Sequence, residues 1–342
     1  MSMKIVAGLG SADEYIRYCE AGADEFFCGY VPYEWTKKYG TMTALNRREV
    51  LCCNVQIGGR EELEILSAMI NMYQKPVHLT FNSLYYLPEQ YPLIGRIISE
   101  CLEMGFRSYI IADPALILYL HEKGINCEIH LSGELGEMNS GVAEIFAEMN
   151  LKRIIFHRKN RAADMQAVID AVERSQCNRA GQMEYEAFVL NELCQFSGSF
   201  CNSLHCDELG HLCRVPYWMG DAGGNRSKKC RDVSGNLAWQ ESELIDQSEA
   251  QENDTADNDT EIDYLCGQSG CGICELYALQ KAGITHVKLV GRGNHVDSME
   301  QDIRNLRKAL ELLEQEESEN AFRKKMKQEL FPNGCSRNCY YL

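Results

Sequence analysis

One phrase recurs along this chain and restricts its fold more than any single motif. It is an amphipathic helical stretch, then Gly or Asn, then a short β-branched or aromatic run. Ala21-Gly22-Ala23-Asp24 precedes Glu25-Phe26-Phe27-Cys28, and Met104-Gly105-Phe106 precedes Ser108-Tyr109-Ile110-Ile111. Lys123-Gly124-Ile125 leads into 127–131, Met149-Asn150-Leu151 into 153–156, and Ala282-Gly283-Ile284 into 286–290. Glycine after a helix supplies the left-handed cap that turns the chain back toward the next strand. Further strand patterns near 4–9, 77–82 and 183–190 bring the number to eight. Strands alternating with helices imply a parallel sheet with helices outside. Eight such units predict an α/β fold closed into a (β/α)8 TIM-like barrel, with its active site at the strands' C-terminal ends. An open doubly wound sheet is the alternative that the same alternation permits.

The beat stops between Cys194 and Cys274. The chain is therefore read as strands 1–7 of the barrel over 1–193 and a Cys-rich insertion between the last two strands over 194–274. The last strand and C-terminal helices follow over 275–330, and a Cys-bearing tail over 331–342. Within the insertion, residues 241–263 hold ten acidic side chains and no Lys or Arg, and so account for ten of the sixteen net negative charges. That segment reads as a solvated loop, and the body of the chain is only mildly acidic. Strong electrostatic attraction to nucleic acid is not indicated, which leaves RNA open only through a local groove.

Composition narrows the class further. The 45% hydrophobic and 25% charged content is that of a globular protein, not of a disordered, collagenous or disulfide-stapled chain. No run of about 18 apolar residues occurs, so no membrane helix is expected. The N-terminus reads directly into a strand without a signal-like apolar segment, and the expected location is the cytoplasm.

In a reducing compartment, the 17 cysteines of this 342-residue chain point to metal or thiolate chemistry rather than disulfides. Eight lie within 194–274: Cys194, Cys201, Cys206, Cys213, Cys230, Cys266, Cys271 and Cys274. Cys335 and Cys339 stand near the end. Uneven spacing with many soft ligands suits an iron–sulfur cluster better than zinc, for which only Cys271-Gly-Ile-Cys274 has a tight-pair form within the insertion. A buried cluster without function is the alternative, but Gly- and Ser-rich polar surroundings make poor core sequence. His205 and His211, beside Cys206 and Cys213, are further ligand candidates.

The run Glu186-Ala-Phe-Val-Leu-Asn-Glu-Leu-Cys194, then Cys201, then Cys213-Arg-Val-Pro-Tyr217 resembles the signature of the peptidase U32 family. The block from Cys271 through Ala282-Gly283 to Lys288-Leu-Val-Gly291-Arg292 is similar to that family's closing segment. The resemblance spans most of residues 4–295 and implies a barrel carrying a [4Fe-4S] cluster. Members of the family take part in oxygen-independent hydroxylation of tRNA or rRNA bases or of ubiquinone precursors. Carried over by position, the cluster ligands are Cys194, Cys201 and Cys271. The remaining family position is Leu209 here, so Cys213 or Cys206 takes its place, and the ligand set reads Cys194, Cys201, Cys213 and Cys271. Cys206, Cys230, Cys266, Cys274, Cys335 and Cys339 are candidates for a second cluster. The family's His, Gly and two Glu positions hold Leu190, Asn191, Lys159 and Val290, which marks a divergent member.

Asn82, Asp113, His130, Arg158, Glu186, Lys288 and Arg292 fall in or just beyond predicted strands and are the candidate catalytic residues of one barrel mouth, with Ser132, His157 and Glu184 nearby. Arg158, Lys288 and Arg292 would suit a small anionic ligand through charge-assisted hydrogen bonds. Strand alternation predicts that about half of the group points outward instead. His78 reads as a satisfied barrel histidine. No H-E-x-x-H or G-x-S-x-G occurs, and thiolates committed to a cluster cannot act as nucleophiles, so proteolysis is disfavoured. The tail Cys335-x3-Cys339 admits three readings: ligands for a second cluster, a redox-active thiol pair, or a frayed end. At the level of function, a hydroxylase-like redox enzyme and a non-catalytic cluster-bearing subunit, paired with a related U32-type chain or with itself, both fit; a metal-dependent peptidase fits less well.

Overall fold

A computed structural model of the chain describes residues 2–40, 43–47, 56–175, 183–194 and 264–341. Eight parallel strands close in sequence order: β1 (Lys4–Gly8), β2 (Glu25–Gly29), β3 (Val77–Phe81), β4 (Ser108–Ile111), β5 (Glu128–Leu131), β6 (Arg153–Ile155), β7 (Glu184–Leu190) and β8 (His286–Leu289). Pairing of Lys4 with His286 and of Val6 with Lys288 joins β8 to β1. That pairing excludes the open sheet, and every strand lies where the sequence placed it.

Around the barrel run α1 (Glu14–Ala21), α2 (Tyr33–Tyr39), α3 (Arg60–Tyr73), α4 (Tyr91–Glu103), α5 (Pro114–Glu122), α6 (Ser140–Ala147), α7 (Ala162–Ser175), α8 (Leu276–Lys281), α9 (Val296–Gln315) and α10 (Glu319–Leu330). The punctuation seen in the sequence is physical. Gly22 ends α1 at φ +111°, its N–H donating to the last turn, and Asp113, Asn139 and Ser318 cap α5, α6 and α10 with side-chain oxygens. Helix α9 buries Met299, Ile303, Leu306, Leu310 and Leu313, the spacing of one apolar face. Arg17 of α1 and Asp297 and Glu300 of α9 pair across the helix contact. Among the described residues no helix is long and apolar enough to cross a membrane.

The apolar core lies mainly between sheet and helices. A second, separate cluster draws Val6, Phe27, Ile110, Ile155 and Phe188 from five different strands and Val290 from just beyond β8, so it fills the barrel's lumen. Below it, toward the strands' N-terminal ends, the lumen is charged. The interior of such a barrel is ordinarily branched and apolar, and this departure positions most of the candidate chemistry.

Candidate functional site

Arg153 stands at the centre of the lower lumen, 2% exposed. Its guanidinium donates to Glu25 Oε2 at 2.7 Å, to Glu184 Oε2 at 2.7 and 3.0 Å and to Glu186 Oε2 at 2.8 Å. Glu25 also meets His78 at 3.0 Å and His286 at 3.2 Å. The other His78 nitrogen faces the Ser108 hydroxyl, so both ring nitrogens have partners, as its sequence position suggested. Lys288 Nζ donates to Glu186 Oε1 at 2.7 Å and lies 3.8 Å from the Phe27 ring centroid. A cavity of about 180 Å³ opens beside Glu25, His78, His130, Arg153 and Glu184, at the face opposite the active mouth of such barrels. His130 also lines it, and its Nδ1 has no hydrogen-bond partner among the described residues.

Charge follows this packing. Burial alone would raise Glu186, but Lys288 and Arg153 hold it down at about 2. Glu25 is raised by burial and lowered much further by His286, His78 and Arg153, ending far below the usual carboxylate range. Burial depresses His78 and His130, with Arg153 adding to the effect at both, and burial and Arg158 depress His157. These three imidazoles stay neutral when folded but take up protons near pH 6.5 when unfolded. Their contribution is complete above that value and is lost as pH falls below it. The urea midpoint should therefore decline between pH 7 and 5.5, before ordinary carboxylates titrate, and His130→Gln should flatten the decline. A midpoint unchanged down to pH 5 would contradict this.

The seven candidate residues divide by depth. Asn82, Asp113, Arg158 and Arg292 lie beyond the C-terminal ends of their strands; His130, Glu186 and Lys288 lie on strands, with Lys288 level in register with Val6 and Phe188 of the apolar layer. Asp113 is occupied structurally, accepting from Ala115 N, Tyr86 N and Tyr91 Oη, and Asn82 Oδ1 accepts from Arg47 N at 3.2 Å. Arg292 donates to Gln56 Oε1 at 3.2 Å and Thr80 Oγ1 at 3.4 Å. That approach needs Gly29, where a Cβ would lie 1.4 Å from Gln56 Oε1 and 2.8 Å from Arg292 Nη1. Ser132 caps the short turn that carries Glu134.

Glu134, which the motif reading passed over, sits between two arginines, 3.1 Å from both Arg158 Nη1 and Arg47 Nε. Burial would raise its pKa, but Arg158 and Arg47 bring it to about 2. The Arg158 guanidinium lies 4.0 Å above the Phe188 ring, and its Nε has no partner among the described residues. Arg47, Arg158 and Arg292 gather three guanidiniums at this mouth, with Glu134 and Glu192 both acting on Arg158; guanidiniums so placed offer charge-assisted hydrogen bonds to an anion.

Three departures from the U32 pattern acquire physical reasons. Val290 packs in the apolar lumen layer and Leu190 in the outer core. Asn191, where the family has Gly, adopts φ +67°, a left-handed backbone that Asn tolerates best after Gly. Its amide donates to Asp302 Oδ2 at 2.8 Å and Val290 O at 3.2 Å, so the change adds polar contacts.

The tail is docked, not frayed. Cys271 N donates to Asn338 O at 2.7 Å and Tyr340 N to Cys271 O at 2.9 Å, which pairs Cys271 with Cys339. Tyr340 and Tyr341 then pack over the apolar lumen cluster. Tyr341 Oη donates to Phe188 O at 2.6 Å and Tyr340 Oη to Asn191 O.

Cys194 follows β7, and its thiol lies within electrostatic reach of Arg158. Cys201, Cys206, Cys213 and Cys230, and the acidic segment 241–263, lie outside the described residues. Cys266, Cys271, Cys274, Cys335 and Cys339 form no disulfide with one another. Among the described residues, no three acidic, His or Cys side chains already converge as a metal site. The donor chemistry nevertheless fits a cluster: a half-buried soft thiol at the end of a barrel strand, next to an arginine that can offset thiolate charge.

Known proteins resemble this chain to different extents. A 106-residue segment is 27% identical to tRNA hydroxylation protein P of Escherichia coli (strain K12), covering 31% of this chain and 22% of that protein. The chain thus matches about a fifth of that relative's length. Among solved structures, the U32 peptidase Mk0906 aligns at 13% identity and TM-score 0.39, over 55% of this chain and 70% of its own. The copper homeostasis protein CutC from Streptococcus agalactiae aligns at 8% identity and TM-score 0.36, over 54% and 87%. The profile described as Peptidase family U32 matches residues 10–341, nearly the whole chain. The chain belongs to peptidase family U32.

Proposed function

We propose that this chain is an iron–sulfur protein that supports oxygen-independent hydroxylation, or a related redox modification, of a nucleic-acid base or small aromatic substrate. The observation that carries the reading is the meeting of Cys194 and Arg158 at one mouth, in a chain whose family match and partial likeness to a tRNA hydroxylation protein point the same way. Cys194, Cys201 and Cys271 would hold the cluster, with the fourth thiolate from Cys213 or Cys206. A bound [4Fe-4S] cluster supplies one-electron redox chemistry. Arg158 and Arg292 bind the anionic group of a small ligand, and Arg47 with Glu134 fixes the angle of the Arg158 guanidinium. Lys288, whose pKa burial lowers and whose Nζ Glu186 holds beside Phe27, orients the lumen side of the site, while Tyr340 and Tyr341 exclude water from above. Action in the cytoplasm is part of the reading.

A second reading has its own support. Val290 and the tail tyrosines leave the upper lumen apolar and covered, as suits a cluster-bearing subunit that partners a related U32-type chain without binding substrate itself. A peptidase reading is weaker. A serine–histidine–carboxylate line does occur, Ser108–His78–Glu25, but Ser108 is 3% exposed and Glu25 is committed to Arg153. The cluster is tested with Cys194→Ala, which should strip the iron that the anaerobically purified wild-type chain carries; equal iron in both would overturn the ligand assignment.

A further inference from the structure

We propose that the C-terminal tail is an autoinhibitory strap: its Tyr340 ring fills the place at the Arg158 mouth that an aromatic ligand would take, so binding there requires the tail to swing out. The inference rests on the reading of this mouth as the site of a small aromatic ligand with an anionic group, and adds its regulation.

Tyr340 stands where such a ligand would stand. Substrates of a barrel of this kind bind at the strands' C-terminal ends. There Tyr340 lies 8% exposed on the lumen layer to which Phe188 belongs. Its hydroxyl donates to Asn191 O and accepts from Arg158, the guanidinium stacked on Phe188. The apolar floor and the guanidinium are thus both engaged by the chain itself. The likeness to a ligand stops at charge. Burial raises the Tyr340 phenol and keeps it neutral, whereas a ring bearing a carboxylate would give Arg158 a charge-assisted bond, roughly twice as strong as a neutral one. A ligand of that kind has the means to displace the tail.

The tail is arranged to detach as a unit. It leaves α10 at Phe331 and turns at Gly334, φ +98°, where even a Cβ would meet nothing within 4 Å. Apart from the two tyrosine hydroxyls, the bonds that hold it beyond this hinge run, among the described residues, to one short stretch. Ser336 Oγ donates to Gly267 O, Asn338 Nδ2 to Gln268 O, Cys271 N to Asn338 O and Tyr340 N to Cys271 O. The pairing is a single isolated bridge, Cys271 with Cys339, so release breaks none of the barrel's strand pairing. The two rings also rest against a glycine. A Cβ on Gly272 would lie 2.9 Å from Tyr341 Cε2 and 3.3 Å from Tyr340 Cδ2, and its φ of −121° is open to alanine. Gly272→Ala therefore pushes on both rings while leaving the tail's sequence and the mouth residues intact.

Benzoate, a ring with a single carboxylate, is the probe. Calorimetry on the full chain should show Gly272→Ala and Tyr340→Ala each binding benzoate at least about tenfold more tightly than wild type, because fewer molecules hold the mouth closed. Adding Arg158→Gln to Gly272→Ala should abolish that binding. In the wild type, saturating benzoate should speed hydrogen exchange at the Cys271 and Tyr340 amides, which are bonded across the tail contact, without speeding it in the barrel strands. Equal affinity in wild type and Gly272→Ala, or benzoate bound with those two amides still protected, would overturn the strap and leave the reading of the mouth standing. Benzoate bound by none of these chains, or binding that survives Arg158→Gln, would overturn the strap together with that reading.

Discussion

Replacing Arg153 with methionine should destabilise the fold by about 3–5 kcal/mol, the cost of removing one partner from a buried ionic network. The side chain is 2% exposed and touches Glu25, Glu184 and Glu186 at 2.7–2.8 Å. Methionine keeps much of the volume but removes the one cation that Glu25, Glu184 and Glu186 share, leaving Lys4, Lys152 and Lys288 each to hold a single carboxylate. His78 and His286 cannot take over, because burial opposes the charged form of His78 and each imidazole reaches the carboxylates from one edge. Arg153→Lys should recover only part of the loss, since a point charge cannot fork to three acceptors. Urea unfolding at pH 7 measures both; a loss below about 1 kcal/mol for methionine would show that the network is solvated.

The tail should matter nearly as much. Tyr340→Ala is expected to cost about 3–5 kcal/mol, on the scale of buried aromatic truncations, because Tyr340 is 8% exposed over the lumen layer of Val6, Phe27, Ile110, Ile155, Phe188 and Val290. Adding Tyr341→Ala removes the second ring and its bond to Phe188 O, uncovering that layer. Urea unfolding reads the stability loss, and increased fluorescence of an apolar dye reads the opened lumen. An unchanged midpoint and no dye binding would mean that the tail rests on the barrel without sealing it.

The barrel was legible because its signals are local. Each strand announces itself by a Gly or Asn turn and a short apolar run, and the mouth residues Arg158 and Arg292 lie where a strand's end places them. What was not legible depends on which residues meet across the lumen. Glu25 and Arg153 are 128 residues apart, and nothing in either neighbourhood names the other. Glu134 lies only two residues beyond Ser132, but its value comes from Arg47 and Arg158 on other loops. Asn191 looks like a lost glycine until its φ is known. Cys271 and Cys339 lie far apart in the sequence, and only the docking of the tail shows that their backbones pair.

The most direct measurement is the iron and acid-labile sulfide content of the full chain, purified without oxygen and after anaerobic reconstitution. The cluster account predicts about four iron and four sulfide per chain for the Cys194 centre. Zinc alone, or no iron after reconstitution, would contradict the account.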